Sequence, residues 1–158
     1  MDLLAFAQWC EETALGLAIR ESTWAFAVIE SVHLLALSVI GGTVLVVDLR
    51  LLGTGLTRHS VKSLASEVWK WQNLSLVVMI VTGVLLYLSE ATKCYYSTPF
   101  WVKMGALMAS VAFLYLLKRP MVFSDQPPSR ATGAVVALLS LGMWFVVGAS
   151  GRWIGFSG

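Results

Sequence analysis

The chain has 158 residues, of which 58% are hydrophobic and only 13% are charged, and its mean hydropathy is +0.77. Soluble domains carry about 25% charged residues, so one integral membrane domain is expected. The formal net charge of +2 is too small and too dispersed for a nucleic-acid partner. The two cysteines, Cys10 and Cys94, form no CxxC or CxxCH motif, and Walker, GxGxxG, HExxH and GxSxG motifs are missing as well.

The opening segment, residues 1–20, is no signal peptide. It lacks a positive n-region, and Glu11 and Glu12 interrupt its apolar run. It reads as an amphipathic helix at the membrane surface, with Leu3, Leu4, Phe6, Ala7, Leu15 and Ala18 toward lipid. The first span runs from about Trp24 to Val47. At ~1.5 Å per residue it is roughly 36 Å long, enough to cross a hydrocarbon core of about 30 Å. The loop after it contains a surface helix from Ser60 to Val68 in this reading. The second span covers about Trp71 to Ser89, and the third runs from Phe100, just after Pro99, to Leu117. A Pro-rich connector, "KRPMVFSDQPPSR", leads to the fourth span, about Ala131 to Ser150. Trp24, Trp69, Trp71, Tyr95, Tyr96, Trp101 and Trp153 stand near span ends, as interface anchors do. The expectation is an all-α, integral membrane four-helix bundle with an interfacial amphipathic helix at its N-terminus. Thin helices with apolar faces leave room for a homo-oligomer or a place in a larger membrane complex.

Loops one and three share a side and hold Arg50, Arg58, Lys62, Lys70, Lys118, Arg119 and Arg130. The other side holds Arg20, Lys93 and Arg152. By the positive-inside rule, loops one and three face the cytoplasm and both termini lie outside. This topology gathers Glu30, His33, Glu90, Lys103 and Arg152 into one polar layer near the outer leaflet, with no comparable layer in the inner half.

His33 is the first candidate for chemistry. Glu30 lies three residues earlier, so the two side chains are neighbours on the helix. A carboxylate can fix the imidazole tautomer and leave the other ring nitrogen for a metal, a haem iron or a quinone. The alternative is a buried His–Glu bond that holds helices in register. Intramembrane ionisable residues are costly and mostly functional, which keeps the first reading open. Lys103 either snorkels to the interface, pairs with Glu30 or Glu90, or anchors a propionate or substrate. Arg152 binds lipid phosphate, Glu90, a haem propionate or a quinone headgroup. Asp48 and Arg50 read as an ion pair closing the inner end of span one. Glycines 41, 42, 83, 105, 142, 148 and 151 let helices approach closely, or admit a flat macrocycle. Cys10 and Cys94 fall on the outer side, where a disulfide is permitted and free thiols are equally compatible. His59 reads as a solvated loop residue, which leaves one histidine within the membrane. A haem therefore needs His33 plus Lys103, a methionine such as Met79, Met104 or Met108, an open position, or a second subunit.

Three phrases together carry a resemblance: "RESTWAFAVIESVHLLALSVIGGTVLVVDLRLLG", "TGVLLYLSEATKCYYSTPFWVKMGAL" and "SLGMWFVVGASGRWIGF". They resemble a family of small four-helix bacterial inner-membrane proteins classed as a domain of unknown function. The matching positions are Arg20, Glu30, His33, Asp48, Arg50, Gly53, Gly83, Pro99, Phe100, Lys103, Gly151 and Arg152. The resemblance implies a multi-pass protein of the bacterial inner membrane with periplasmic termini. More distantly, His33 in span one and Lys103 in span three are similar to the layout of membrane protoporphyrinogen oxidases and copper-resistance D-type proteins. In the oxidases these positions go with b-type haem. Glu30 and the short "DLRLLG" depart from that pattern. The expected function is a small membrane haem b redox protein, with His33 as axial ligand and a haem or quinone site in the outer half. Two other classes stay open: a cofactor-free accessory subunit with a Glu–His–Lys polar lock, and a copper or proton-coupled transporter.

Overall fold

The computed structural model describes residues 2–126 and 128–156. Among them every regular element is helical, and four helices are long and apolar enough to cross a membrane. The chain is an all-α four-helix bundle of multi-pass type. The helices are α1 (Leu3–Glu11), α2 (Ala14–Glu21), α3 (Ala25–Leu52), α4 (Val61–Ser89), α5 (Ala91–Tyr96), α6 (Thr98–Phe113), α7 (Arg119–Phe123) and α8 (Arg130–Ile154). A π turn, Leu114–Lys118, joins α6 to α7, so the third span runs from Thr98 to Phe123.

Local chemistry sets the boundaries. Thr13, Ser60 and Ser129 open α2, α4 and α8 by accepting the backbone N–H three residues on, at 3.2, 3.0 and 3.1 Å. Gly53, at φ +74°, closes α3 in the left-handed conformation that glycine adopts without strain. Ser60 does not begin a separate surface helix: the stretch from Val61 is continuous with span two. Pro120 offers no N–H, and its ring crowds the preceding turn, so the ladder widens into the π turn just before it.

The spans are apolar all round, as helices in lipid are. Leu35, Val77, Leu116 and Phe145 face outward while the core closes on other faces. The main core cluster joins Ala36, Ile40 and Val44 of α3 to Leu76 and Met79 of α4 and to Trp144 and Val147 of α8. A second cluster toward loops one and three holds Val47, Leu51, Ala65, Val122 and Ala137. The expected glycine seam is mostly not there. Cβ atoms built on Gly41, Gly42, Gly105, Gly142 and Gly148 would meet open space.

The N-terminal segment differs from a single interfacial helix. Thr13 breaks it in two, donating to Cys10 O at 2.7 Å and capping α2. Ala7, Cys10, Gly16 and Ile19 turn into the protein, while Leu3, Phe6, Leu15 and Ala18 stay outward. Ala7 therefore belongs to the packed face and not to the lipid face. A Cβ on Gly16 would stand 2.6 Å from the Leu88 carbonyl, so only glycine lets α2 lie this close to α4. Glu11 accepts the Thr92 N–H at 2.8 Å and meets Arg20 at 3.6 Å, fastening α1 to α5.

Cys10 and Cys94 are both buried, free thiols here, and not a disulfide. Burial, with Glu90 adding to it, pushes the Cys94 thiol up to about 11, and burial raises Cys10 too. Relative to an ordinary thiol, that leaves ~100-fold less Cys94 thiolate at neutral pH. Alkylation of the folded protein should be slower by about that factor than after unfolding. Denaturation without reductant should release two titratable thiols, whereas a bridged protein would release none.

Candidate functional site

The four spans form an open arc. Helix α3 packs on both α4 and α8, and α8 packs on α6, but α4 and α6 share no long contact. Among the described residues, side chains join α4 to the third span mainly at the two ends. Toward loops one and three the Tyr115 hydroxyl donates to Asn73, and Trp69 meets Tyr115 and Phe123 edge-on at 5.7 and 5.6 Å. In the half away from loops one and three they leave a cleft of about 570 Å³, in the size range of small-molecule sites. Its walls are apolar: Met79, Val84, Phe100, Met104, Leu107 and Met108 line it, and Leu3 and Phe6 of α1 reach over its mouth. Tyr87 and Phe100 stack across the gap with centroids 5.6 Å apart.

Two side chains that carry a basic nitrogen enter this apolar space, His33 from α3 and Lys103 from α6. His33 Nδ1 lies 2.9 Å from Thr82 Oγ1. The Thr82 hydroxyl has one proton, and Val78 O accepts it at 2.7 Å. With that proton on Val78 O, Thr82 accepts from His33 in the Nδ1–H tautomer. Nε2 then carries no proton and keeps its lone pair. Lys103 Nζ stands 3.5 Å away and donates to it.

Two glycines make the room. A Cβ on Gly83 would sit 3.3 Å from His33 Cε1, and one on Gly151 would sit 3.4 Å from Lys103 Nζ. These are the two glycines of the expected seam that do serve close approach, and what approaches is a polar side chain.

The other expected members of the outer layer do not join. Glu30 is exposed, and both ring nitrogens of His33 are taken by Thr82 and Lys103. Three residues turn a helix through about 300°, which puts Glu30 on the flank of the inward-facing His33. Glu90 pairs with Lys93 at 3.7 Å, at the α4–α5 junction. Arg152 is exposed, with its guanidinium 4.7 Å over the Phe156 ring, and it does not line the cleft. Thr82 is the member that sequence reasoning missed. A threonine in an apolar helix reads as a residue bonded to its own backbone, which is half of what Thr82 does.

The half toward loops one and three, expected to hold no polar layer, is not empty of charge. Asp48 pairs with Lys118, Oδ1 to Nζ 2.6 Å, and not with Arg50. Arg50 instead donates through Nε to His59 O at 2.6 Å, bracing loop one. Lys118, expected in a connector, is 3% exposed because the π turn swings it inward, where it also donates to Ser140 Oγ at 3.0 Å.

The donor groups at the cleft are one imidazole, one amine, three thioethers and the phenols of Tyr87 and Tyr95. Among the described residues no group of three or more His, Cys, Asp or Glu side chains could hold a bare metal ion. Among known proteins, no curated protein and no solved structure matches the chain. The model of the Family of unknown function (DUF6644) matches residues 6–157, nearly the whole chain, and the chain belongs to that family.

Proposed function

We propose that the outer-half cleft is the cofactor site of a small membrane redox protein, and that haem b, with His33 Nε2 as axial ligand, is the cofactor it takes. The observation that carries this is His33 Nε2, which faces the cleft with the Lys103 amine 3.5 Å away as its partner. The relay from His33 Nδ1–H to Thr82 and on to Val78 O leaves its lone pair facing an apolar space. The donor set fits iron already held by a macrocycle better than a bare ion, because one imidazole with thioethers and phenols does not make an ion cage. Met79, Met104 or Met108 would be the group at hand for the opposite axial position, and Lys103 would be freed to meet a propionate. Haem supplies one-electron chemistry, and the protein's part is to hold and shield it. Arg152 drops out of this reading as an anchor, and Thr82 replaces Glu30 as the residue that orients His33. The distant similarity to protoporphyrinogen oxidases rests on His33 and Lys103, the same two residues.

The gap between α4 and α6 opens sideways into the bilayer, which supports a membrane quinone as electron partner or as an alternative occupant. With Lys118 counted as buried, loops one and three still hold Arg50, Arg58, Lys62, Lys70, Arg119 and Arg130 against three outer cations. This supports cytoplasmic loops and periplasmic termini in a bacterial inner membrane.

A second reading has one observation in its favour. Lys103 already satisfies Nε2 at 3.5 Å, which suits a cofactor-free polar lock in an accessory subunit. Visible spectra of the protein purified in mild detergent from haem-replete cells, oxidised and dithionite-reduced, separate the two. Sharp Soret and α bands that vanish in His33→Ala are expected. A colourless protein that co-purifies with a larger complex would sink the haem reading in favour of the lock.

A further inference from the structure

The half toward loops one and three holds an ionisable site that the cleft chemistry does not use. Asp48 sits on α3, Lys118 on the π turn and Ser140 on α8, with exposures of 0, 3 and 2%. Three spans thus meet at one ion pair inside an apolar shell. As a mere fastener it is a poor choice, since well-packed apolar side chains commonly hold helices as well as a buried ion pair does. Ionisable groups at this depth are characteristically functional.

The carboxylate is also incompletely used. Oδ1 lies 2.6 Å from Lys118 Nζ, yet both carboxylate oxygens are fully buried and neither has an aligned hydrogen-bond donor. The Ser140 hydroxyl stands near enough to interact with the carboxylate, but it is not aligned on it. A carboxylate has about four acceptor positions, so an open one is a place for a proton. Beside Lys118 lies a cavity of about 20 Å³, enough for one water. Gln72 of α4, itself buried, and Arg119 border it on the way to the Trp69 end of the bundle.

Among the described residues, Asp48 and Lys118 form an ion pair with each other alone. Arg119 is turned away, its guanidinium 5.0 Å over the Trp69 ring, and α4 and α8 contribute only the uncharged Gln72 and Ser140. We infer that Asp48, Lys118 and Ser140 form a proton-binding site, served from the side of loops one and three through the water-sized cavity beside Gln72. Hydronium arriving there meets Lys118, the member of the site that lines the cavity, and the ammonium hands a proton to the carboxylate as it takes one from hydronium. An O–H bond forms, water leaves, Oδ1 keeps its contact with the ammonium, and the pair goes from neutral to a charge of +1. Release is the reverse. The site is independent of any occupant of the outer cleft.

Infrared difference spectra of the full chain in lipid nanodiscs, between alkaline and mildly acidic buffer, test this. A protonated-carboxyl C=O band should grow on acidification and move to lower frequency in D2O. It should vanish in Asp48→Asn, shift in Ser140→Ala and persist in His33→Ala. Gln72→Leu should slow the H/D exchange of that band. No such band, or one that Asp48→Asn leaves intact, would overturn the assignment. Should Asp48→Asn fail to fold, a band unmoved in a folded Ser140→Ala protein would overturn it equally.

Discussion

Lys118→Met lowers the free energy of unfolding by about 3–5 kcal/mol, the range for removing one partner of a buried pair. Lys118 is the one cation in contact with the fully buried Asp48 carboxylate, and it also satisfies Ser140. Methionine fills much of the same volume, so the loss is electrostatic and not a cavity. The control is the double substitution Asp48→Leu with Lys118→Met, which removes both charges and should recover most of the loss. Denaturant unfolding in mild detergent, followed by tryptophan fluorescence, reads both. Trp144 on α8 is buried close to this layer and gives the signal. A Lys118→Met protein as stable as the parent would mean that Lys118 points to the interface, as a connector lysine would.

Thr82→Val should destabilise the bundle by about 1–3 kcal/mol and change the chemistry of His33, because it strips the acceptor from a buried N–H. The ring then has two choices. It keeps Nδ1–H unpaired, or it moves the proton to Nε2 and presents it to the Lys103 ammonium, 3.5 Å away. Either way the Nε2 lone pair is lost or ill-placed. Thr82→Ser retains the hydroxyl and should behave as the parent. The imidazole ¹⁵N shifts report the tautomer directly, whether or not a cofactor is bound. Visible absorbance, if the cleft holds haem, should fall in Thr82→Val and persist in Thr82→Ser. An unchanged Nδ1–H tautomer in Thr82→Val would remove Thr82 from the site.

The parts of the molecule legible in its sequence are those governed by long-range averages. Four apolar runs give four spans, and their antiparallel order brings His33 and Lys103 to one depth, where they do meet. The errors arise where one turn of helix decides which way a side chain points. Glu30 and His33 are three apart, yet only His33 faces inward. Asp48 and Arg50 are two apart and face different neighbours. Lys118 stands in "LKRP", which reads as the charged end of a span. The π turn carries the helix on and rotates the lysine inside, and such a turn leaves no hydropathy signature. A sign was nonetheless present: Asp48 precedes a further apolar pair, Leu51 and Leu52, so a span ending at Val47 left apolar residues unexplained. The cleft itself was out of reach, because it exists through contact that α4 and α6 do not make.

Between His33 and Asp48 the interior is packed mainly with apolar side chains. Ile40 and Val147 are completely buried, Val44 is almost so, and with Ala36, Leu76 and Trp144 they fill the centre of the bundle. The two ionisable centres are 15 residues apart along α3, roughly 22 Å at the helical rise. That plug acts as a dielectric layer between two electrodes. Across that distance a charge change at one centre reaches the other only as a weak field, and the plug offers few polar groups to carry a proton. On the proposals above, each centre exchanges protons with the water at its own end of the bundle, and the plug separates the two.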